Sequence, residues 1–168
     1  IAAVDGLVPN EVIRENARTF GGVAHRIELV RELDGVRYYN DSIASSPSRT
    51  IAGLRSFRQK VILIAGGYDK HIPYDVLGPE AVEHVKTLLL TGDTAEKIKA
   101  ATLAAPNYQE GRPEIFDCAD LREAVEKARG LAQPGDVVIM SPASASFDRF
   151  KNFEERGNVF KELVKGLK

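Results

Sequence analysis

Apolar and polar positions along the chain follow two rhythms. A period near two runs through Arg26 to Leu33, where Ile27, Leu29 and Val30 sit among charges, and resumes from Val36 to Asn40. Asp34-Gly35 between those runs predicts a β-hairpin. Beyond it the pattern predicts a helix from about Pro47 to Phe57, a strand at Val61 to Ala65, a glycine loop, a helix near Pro79 to Val85 and a strand at Thr87 to Leu90. A helix from about Thr94 to Ala104 places Ala95, Ile98 and Ala101 together. After a weak strand at Glu114 to Phe116, a further helix gathers Leu121, Ala124, Val125 and Ala128 on one face. Pro134-Gly135 turns the chain into a buried strand at Asp136 to Met140, and a last helix directs Phe153, Phe160, Leu163, Val164 and Leu167 inward.

Strands that read as unbroken apolar runs, such as Val61-Ile62-Leu63-Ile64, suit a parallel sheet covered on both faces. The expected fold is therefore an α/β, Rossmann-like three-layer domain, mostly parallel, with the N-terminal hairpin as an antiparallel edge. Ahead of it, Ile1 to Phe20 reads as helical, with Asn10 as N-cap, Val12, Ile13, Ala17 and Phe20 at helical spacing, and Gly21-Gly22 as the stop. We assign residues 1–22 to the tail of a preceding domain and its linker, and residues 23–168 to the α/β domain. An opening at Ile1-Ala2-Ala3-Val4, inside an apolar stretch, reads as a fragment of a longer protein.

Charge narrows the functions. With 23 basic and 24 acidic residues among 168, net −1, the chain has no broad cationic footprint for nucleic acid or an anionic membrane. Its one cysteine, Cys118, cannot build a disulfide framework and suits a reducing, cytoplasmic setting. As a residue type it reads as core rather than nucleophile. His25, His71 and His84 lack metal-ligand spacing, so no metal site is expected.

Three segments directly follow predicted strands: Asn40 to Ser45, Gly66-Gly67-Tyr68-Asp69-Lys70, and Ser141 to Phe147. In a parallel sheet the carboxyl ends of the strands share one rim, where ligands gather. The expectation is one polar crevice holding Asp41, Ser45, Lys70 and Ser146. Lys70 and the two hydroxyls suit a small anion, and Asp41 suits sugar hydroxyls. Each has a plainer reading: Asp41 and Ser45 as caps of the helix that Pro47 opens, Gly66-Gly67 as a tight turn, Lys70 as a solvated charge.

Together, His25-Arg26-Ile27-Glu28, Tyr39-Asn40-Asp41-Ser42, Thr50 to Leu54, Gly66 to Lys70 and above all Ser141 to Gly157 resemble the carboxy-terminal domain of the Mur ligases, in the branch that adds D-glutamate. The Asp-Asn-Pro-Arg signature of the diamino-acid branch is absent. The resemblance implies three domains, with residues 1–22 ending the central ATPase domain. It implies joining D-glutamate to UDP-N-acetylmuramoyl-L-alanine through an acyl phosphate, with ATP and Mg2+ held mainly by the central domain, in bacterial cytoplasmic peptidoglycan synthesis. It places Ser45, Lys70, Ser146, Phe147 and Phe153 around D-glutamate and Arg26 and Asp41 toward ATP, with no catalytic residue in this domain and a monomeric protein expected.

Three departures accompany the likeness. Ile43 stands where many relatives carry a lysine, Ser45 where a threonine is common, which keeps the hydroxyl, and Phe147 where leucine is frequent. The alternative readings are a non-enzymatic Rossmann-like module for a nucleotide or small acid, and a folylpolyglutamate-synthase-like ligase domain.

Overall fold

A computed structural model describes residues 6–168. The elements are α1 (Asn10–Thr19), β1 (Glu28–Leu33), β2 (Val36–Asn40), α2 (Pro47–Leu54), β3 (Val61–Ala65), α3 (Leu77–His84), β4 (Val85–Leu90), α4 (Ala95–Leu103), β5 (Glu114–Asp117), α5 (Leu121–Leu131), β6 (Val137–Met140) and α6 (Phe153–Gly166). They form one six-stranded sheet in the order β1-β2-β6-β3-β4-β5. Only β1 with β2 is antiparallel; the other four pairings are parallel.

Alternation along the central strands sorts their side chains between two cores. Ile62 and Ile64 of β3 with Val138 and Met140 of β6 meet α5 and α6 through Ala124, Val125, Ala128, Phe160 and Val164. Val61, Leu63 and Ala65 with Val137 and Ile139 meet α2, α3 and α4 through Leu54, Leu77, Ala81 and Ile98. Both faces are covered, so β3 and β6 are apolar at every position, and each fully buried Leu or Ile contributes about 1.5–3 kcal/mol. The edge strands are less covered, and neither β1 nor β5 fully buries any of its residues.

Differences from the sequence-based expectation lie at boundaries. Pro9 occupies the N-cap of α1, so Asn10 is its first helical residue, and no residue of α1 is buried. The part of the expected opening helix before Gly6 lies outside the described residues. β1 starts at Glu28 rather than Arg26, because His25 and Ile27 take left-handed backbone conformations, φ 62° and 44°, that no strand accommodates. Leu29 faces solvent.

Candidate functional site

β2, β6 and β3 are neighbours running in one direction, so the segments after them emerge side by side. Hydrogen bonds then join those segments. The Gly66 N–H donates to the Pro142 carbonyl at 2.8 Å and the Tyr68 N–H to the Ala145 carbonyl at 3.0 Å. Side chains beyond hydrogen would prevent this: a Cβ on Gly66 would stand 1.9 Å from the Thr91 carbonyl oxygen, and one on Gly67 2.3 Å from that of Ala145. The two glycines thus allow close approach of three backbones, which is more than a tight turn requires.

Asp41 ties the β2 segment to the β6 segment. Its Oδ2 accepts from the Ser141 hydroxyl at 2.7 Å, and that hydroxyl also lies 2.9 Å from the Thr50 Oγ1. Its Oδ1 accepts from the Ile27 N–H at 3.2 Å, holding a β-branched residue in the strained left-handed region. The carboxyl is buried, and burial raises its pKa, opposed by the Ser141 and Ile27 hydrogen bonds and by Arg26. Neither Asp41 nor Ser45 caps α2: Ser46 holds the N-cap position and no side chain accepts there.

Arg156 ties the β2 segment to the β6 segment a second time. Its Nε donates to the Ser42 hydroxyl at 3.0 Å and its Nη2 to the Ser42 carbonyl at 2.9 Å, while Nη1 donates to the carbonyls of Ser144 at 3.1 Å and Ala145 at 2.9 Å. It is 4% exposed. Burial pushes its pKa down to about 10, with Asp148 opposing. A chain of hydroxyls completes the lock: Tyr74 Oη lies 2.7 Å from Ser144 Oγ, which lies 2.8 Å from Thr94 Oγ1, which accepts from the Gly67 N–H at 3.1 Å. Within this frame Ala143 is buried in a left-handed conformation, φ 56°.

The sequence reading of Ser141 to Gly157 gave Arg156 no role. Its signal was available, because Arg156 stands three residues after Phe153 and four before Phe160, on the apolar stripe of α6. A charged residue on such a stripe announces a buried network.

The remaining candidates differ in setting. Ser146 is buried at the end of the β6 segment, Ser45 is half-buried, and Arg26 and Phe147 are exposed. Phe153 opens α6, where Asn152 caps the helix by accepting from the Glu155 N–H at 2.8 Å. Its carbonyl accepts from the Ser42 hydroxyl at 2.7 Å, and its ring stands edge to face with His25 at 5.9 Å. Lys70 is exposed and takes part in no ion pair among the described residues. Its neighbour Asp69 is already engaged by Lys97 and by the His71 N–H at 2.8 Å, and these hold its pKa down. The positive charge of Lys70 is therefore left uncompensated within the loop.

The backbone bond between Tyr68 and Ala145 sets Lys70 and Ser146 within two residues of one shared hydrogen bond. That arrangement can grip a small carboxylate: a free ammonium for charge, with hydroxyls and loop amides for orientation. Among the described residues no group of three or more His, Cys, Asp or Glu is placed to hold a metal ion.

The family model described as "Mur ligase, glutamate ligase domain" matches residues 25–144. UDP-N-acetylmuramoylalanine-D-glutamate ligase of Acetivibrio thermocellus is 61% identical over 169 residues, covering 99% of this chain and 36% of that protein. The ligase of the same name from Ruminiclostridium cellulolyticum is 56% identical, with the same coverage of both. The chain thus spans about a third of the length of these curated relatives. Among solved structures, a bifunctional folylpolyglutamate synthase/dihydrofolate synthase from Yersinia pestis shares the fold with a TM-score of 0.64 at 17% identity, over 94% of this chain and 35% of that one. A murein peptide ligase from Psychrobacter arcticus aligns with a TM-score of 0.60 at 16% identity, over 89% and 32%. With the family model matching most of its length and relatives of that name above half identical across it, the chain belongs to the Mur ligase family, as a glutamate ligase domain.

Proposed function

We propose that this domain binds the incoming amino acid in a ligase that joins D-glutamate to UDP-N-acetylmuramoyl-L-alanine, a step of cytoplasmic peptidoglycan precursor synthesis. Residues 1–22 are then the end of the ATPase domain and its linker, and residues 23–168 the amino-acid-binding unit. Lys70 neutralises a D-glutamate carboxylate, while Ser45 and Ser146 orient it and Phe147 and Phe153 wall the pocket. Arg26, exposed beside the buried Asp41, faces the nucleotide. The observation that carries this reading is the free ammonium of Lys70 at a mouth whose other polar groups are largely spent on holding the loops together.

ATP with Mg2+, when bound, supplies activation of the acceptor carboxylate. The share of this domain in holding them is small: the exposed Arg26 guanidinium faces the nucleotide while the Asp41 carboxyl, engaged by Ile27 and Ser141, shapes the loop beside it, and no metal-binding cluster lies among the described residues. The work of the domain is positioning, and well-oriented reactants lower a barrier by about 7–11 kcal/mol. Closure of the domain over the remainder of the enzyme assembles the site and excludes water. An amide-ligase assay of the full-length protein with a panel of D- and L-amino acids tests the reading. ADP release that depends on D-glutamate and on the UDP-sugar substrate is expected; preference for another amino acid, or for a folate acceptor, refutes it.

A further inference from the structure

Two aromatic rings stand open at the mouth. Phe147 is 64% exposed and Tyr68 41% exposed, and the rings meet edge to face with centroids 6.1 Å apart at 73°. Tyr68 comes from the β3 segment and Phe147 from the β6 segment, so the pair spans the seam that the Tyr68–Ala145 backbone bond closes. Lys70 lies two residues beyond Tyr68, and Ser146 directly precedes Phe147. Paired exposed aromatics beside a free cation form an amphipathic surface suited to a ligand with a charged end and a hydrocarbon arm.

We infer that Tyr68 and Phe147 form an aromatic lip over the hydrocarbon arm of the bound amino acid, with Tyr68 setting preference for glutamate over the shorter aspartate. This rests on the amino-acid pocket proposed above. With one carboxylate anchored at Lys70, the side-chain methylenes lie against the rings. Glutamate offers two methylenes for burial and aspartate one. A methylene in an apolar pocket separates substrates by about 10- to 200-fold. The discriminating role is given to the Tyr68 ring because it stands open in the same segment as Lys70, two residues before the anchoring cation. Phe147 supports it edge-on.

The test uses the full-length enzyme with D-glutamate and D-aspartate as competing substrates. Tyr68→Ala is expected to raise the KM for D-glutamate about tenfold and to shrink the glutamate-to-aspartate ratio of kcat/KM by a similar factor. KM for ATP and for the UDP-sugar substrate stays unchanged, and Tyr68→Phe retains the wild-type ratio. An unchanged ratio in Tyr68→Ala overturns the inference. So does a Phe variant as impaired as the Ala variant, or a fall in kcat at constant KM, which would assign the lip to domain closure. If the unsubstituted enzyme turns over other substrates but not D-glutamate, the proposed function itself fails and takes the lip with it.

Discussion

Asp41 and Lys70 are both charged residues in segments that leave the same edge of the same sheet, and the fold treats them in opposite ways. Asp41 is buried with both carboxylate oxygens accepting hydrogen bonds inside the chain, whereas Lys70 is exposed without an ionic partner among the described residues. A charge committed to its own loop stabilises the shape of a site. A charge left over is available to a ligand. The contrast separates residues whose loss should damage folding from those whose loss should damage only function.

The sharpest break in that comparison is Lys70→Ala. D-glutamate-dependent ADP formation in the full-length enzyme should fall by about 100-fold or more, the upper range for loss of a charged hydrogen bond. The unfolding midpoint of the same variant should not move. Turnover at the wild-type rate with an unchanged D-glutamate KM would remove Lys70 from the pocket.

Arg156 should behave in the opposite way. Arg156→Ala leaves the buried carbonyls of Ser42 and Ser144 without their side-chain donor and removes one of the two donors to Ala145, and should lower the unfolding free energy by about 3 kcal/mol. Urea denaturation reads this directly. Asp41→Ala, which frees one backbone N–H and one hydroxyl, should cost about 2 kcal/mol by the same measurement. A loss in either variant below about 0.5 kcal/mol would mean that the loops are held by something else.

The linker corner gives a smaller, pH-dependent effect. Asn40 Nδ2, a donor only, lies 3.0 Å from His25 Nδ1, so that ring nitrogen must accept and the buried imidazole is neutral. Burial lowers its pKa below 6.5, Lys161 adds to this, and Glu28 and Glu154 oppose it. As pH falls through 6.5 the unfolded chain takes up the proton before the folded one, so stability declines from there down to the lowered folded value. The slope cannot exceed about 1.4 kcal/mol per pH unit for one group. His25→Gln, which retains an acceptor, should flatten the difference in urea midpoint between pH 7 and pH 5.5; an unaltered slope would place the titration elsewhere.

The smallest effect should come from α1. None of its residues is buried, so removal of residues 1–20 should leave one cooperative transition within about 0.5 kcal/mol of the intact chain. A larger loss would join α1 to the α/β unit and shift the boundary set at residue 22.

Much of the fold was legible because its signals are local. Val61 to Ala65 and Asp136 to Met140 read as buried strands from their apolar runs, since a sheet covered on both faces requires apolar residues along its central strands. The Asp34-Gly35 turn announced the hairpin. Where β1 begins was not legible, because the left-handed backbone of Ile27 depends on a carboxylate fourteen residues further on. The site divided in the same way. Lys70 and Ser146 stood out as polar residues after strands, and Arg156 did not, since its partners lie 11, 12 and 114 positions away.

Alone, the sequence determined which segments are strands or helices, which faces they bury and which residue types gather after the strands, because periodicity and turn chemistry act over a few residues. Tertiary structure alone decided which of those polar residues are consumed in holding the loops and which stay free. That decision depends on burial and on hydrogen bonds between segments remote along the chain, and both exist only once β2, β6 and β3 lie side by side.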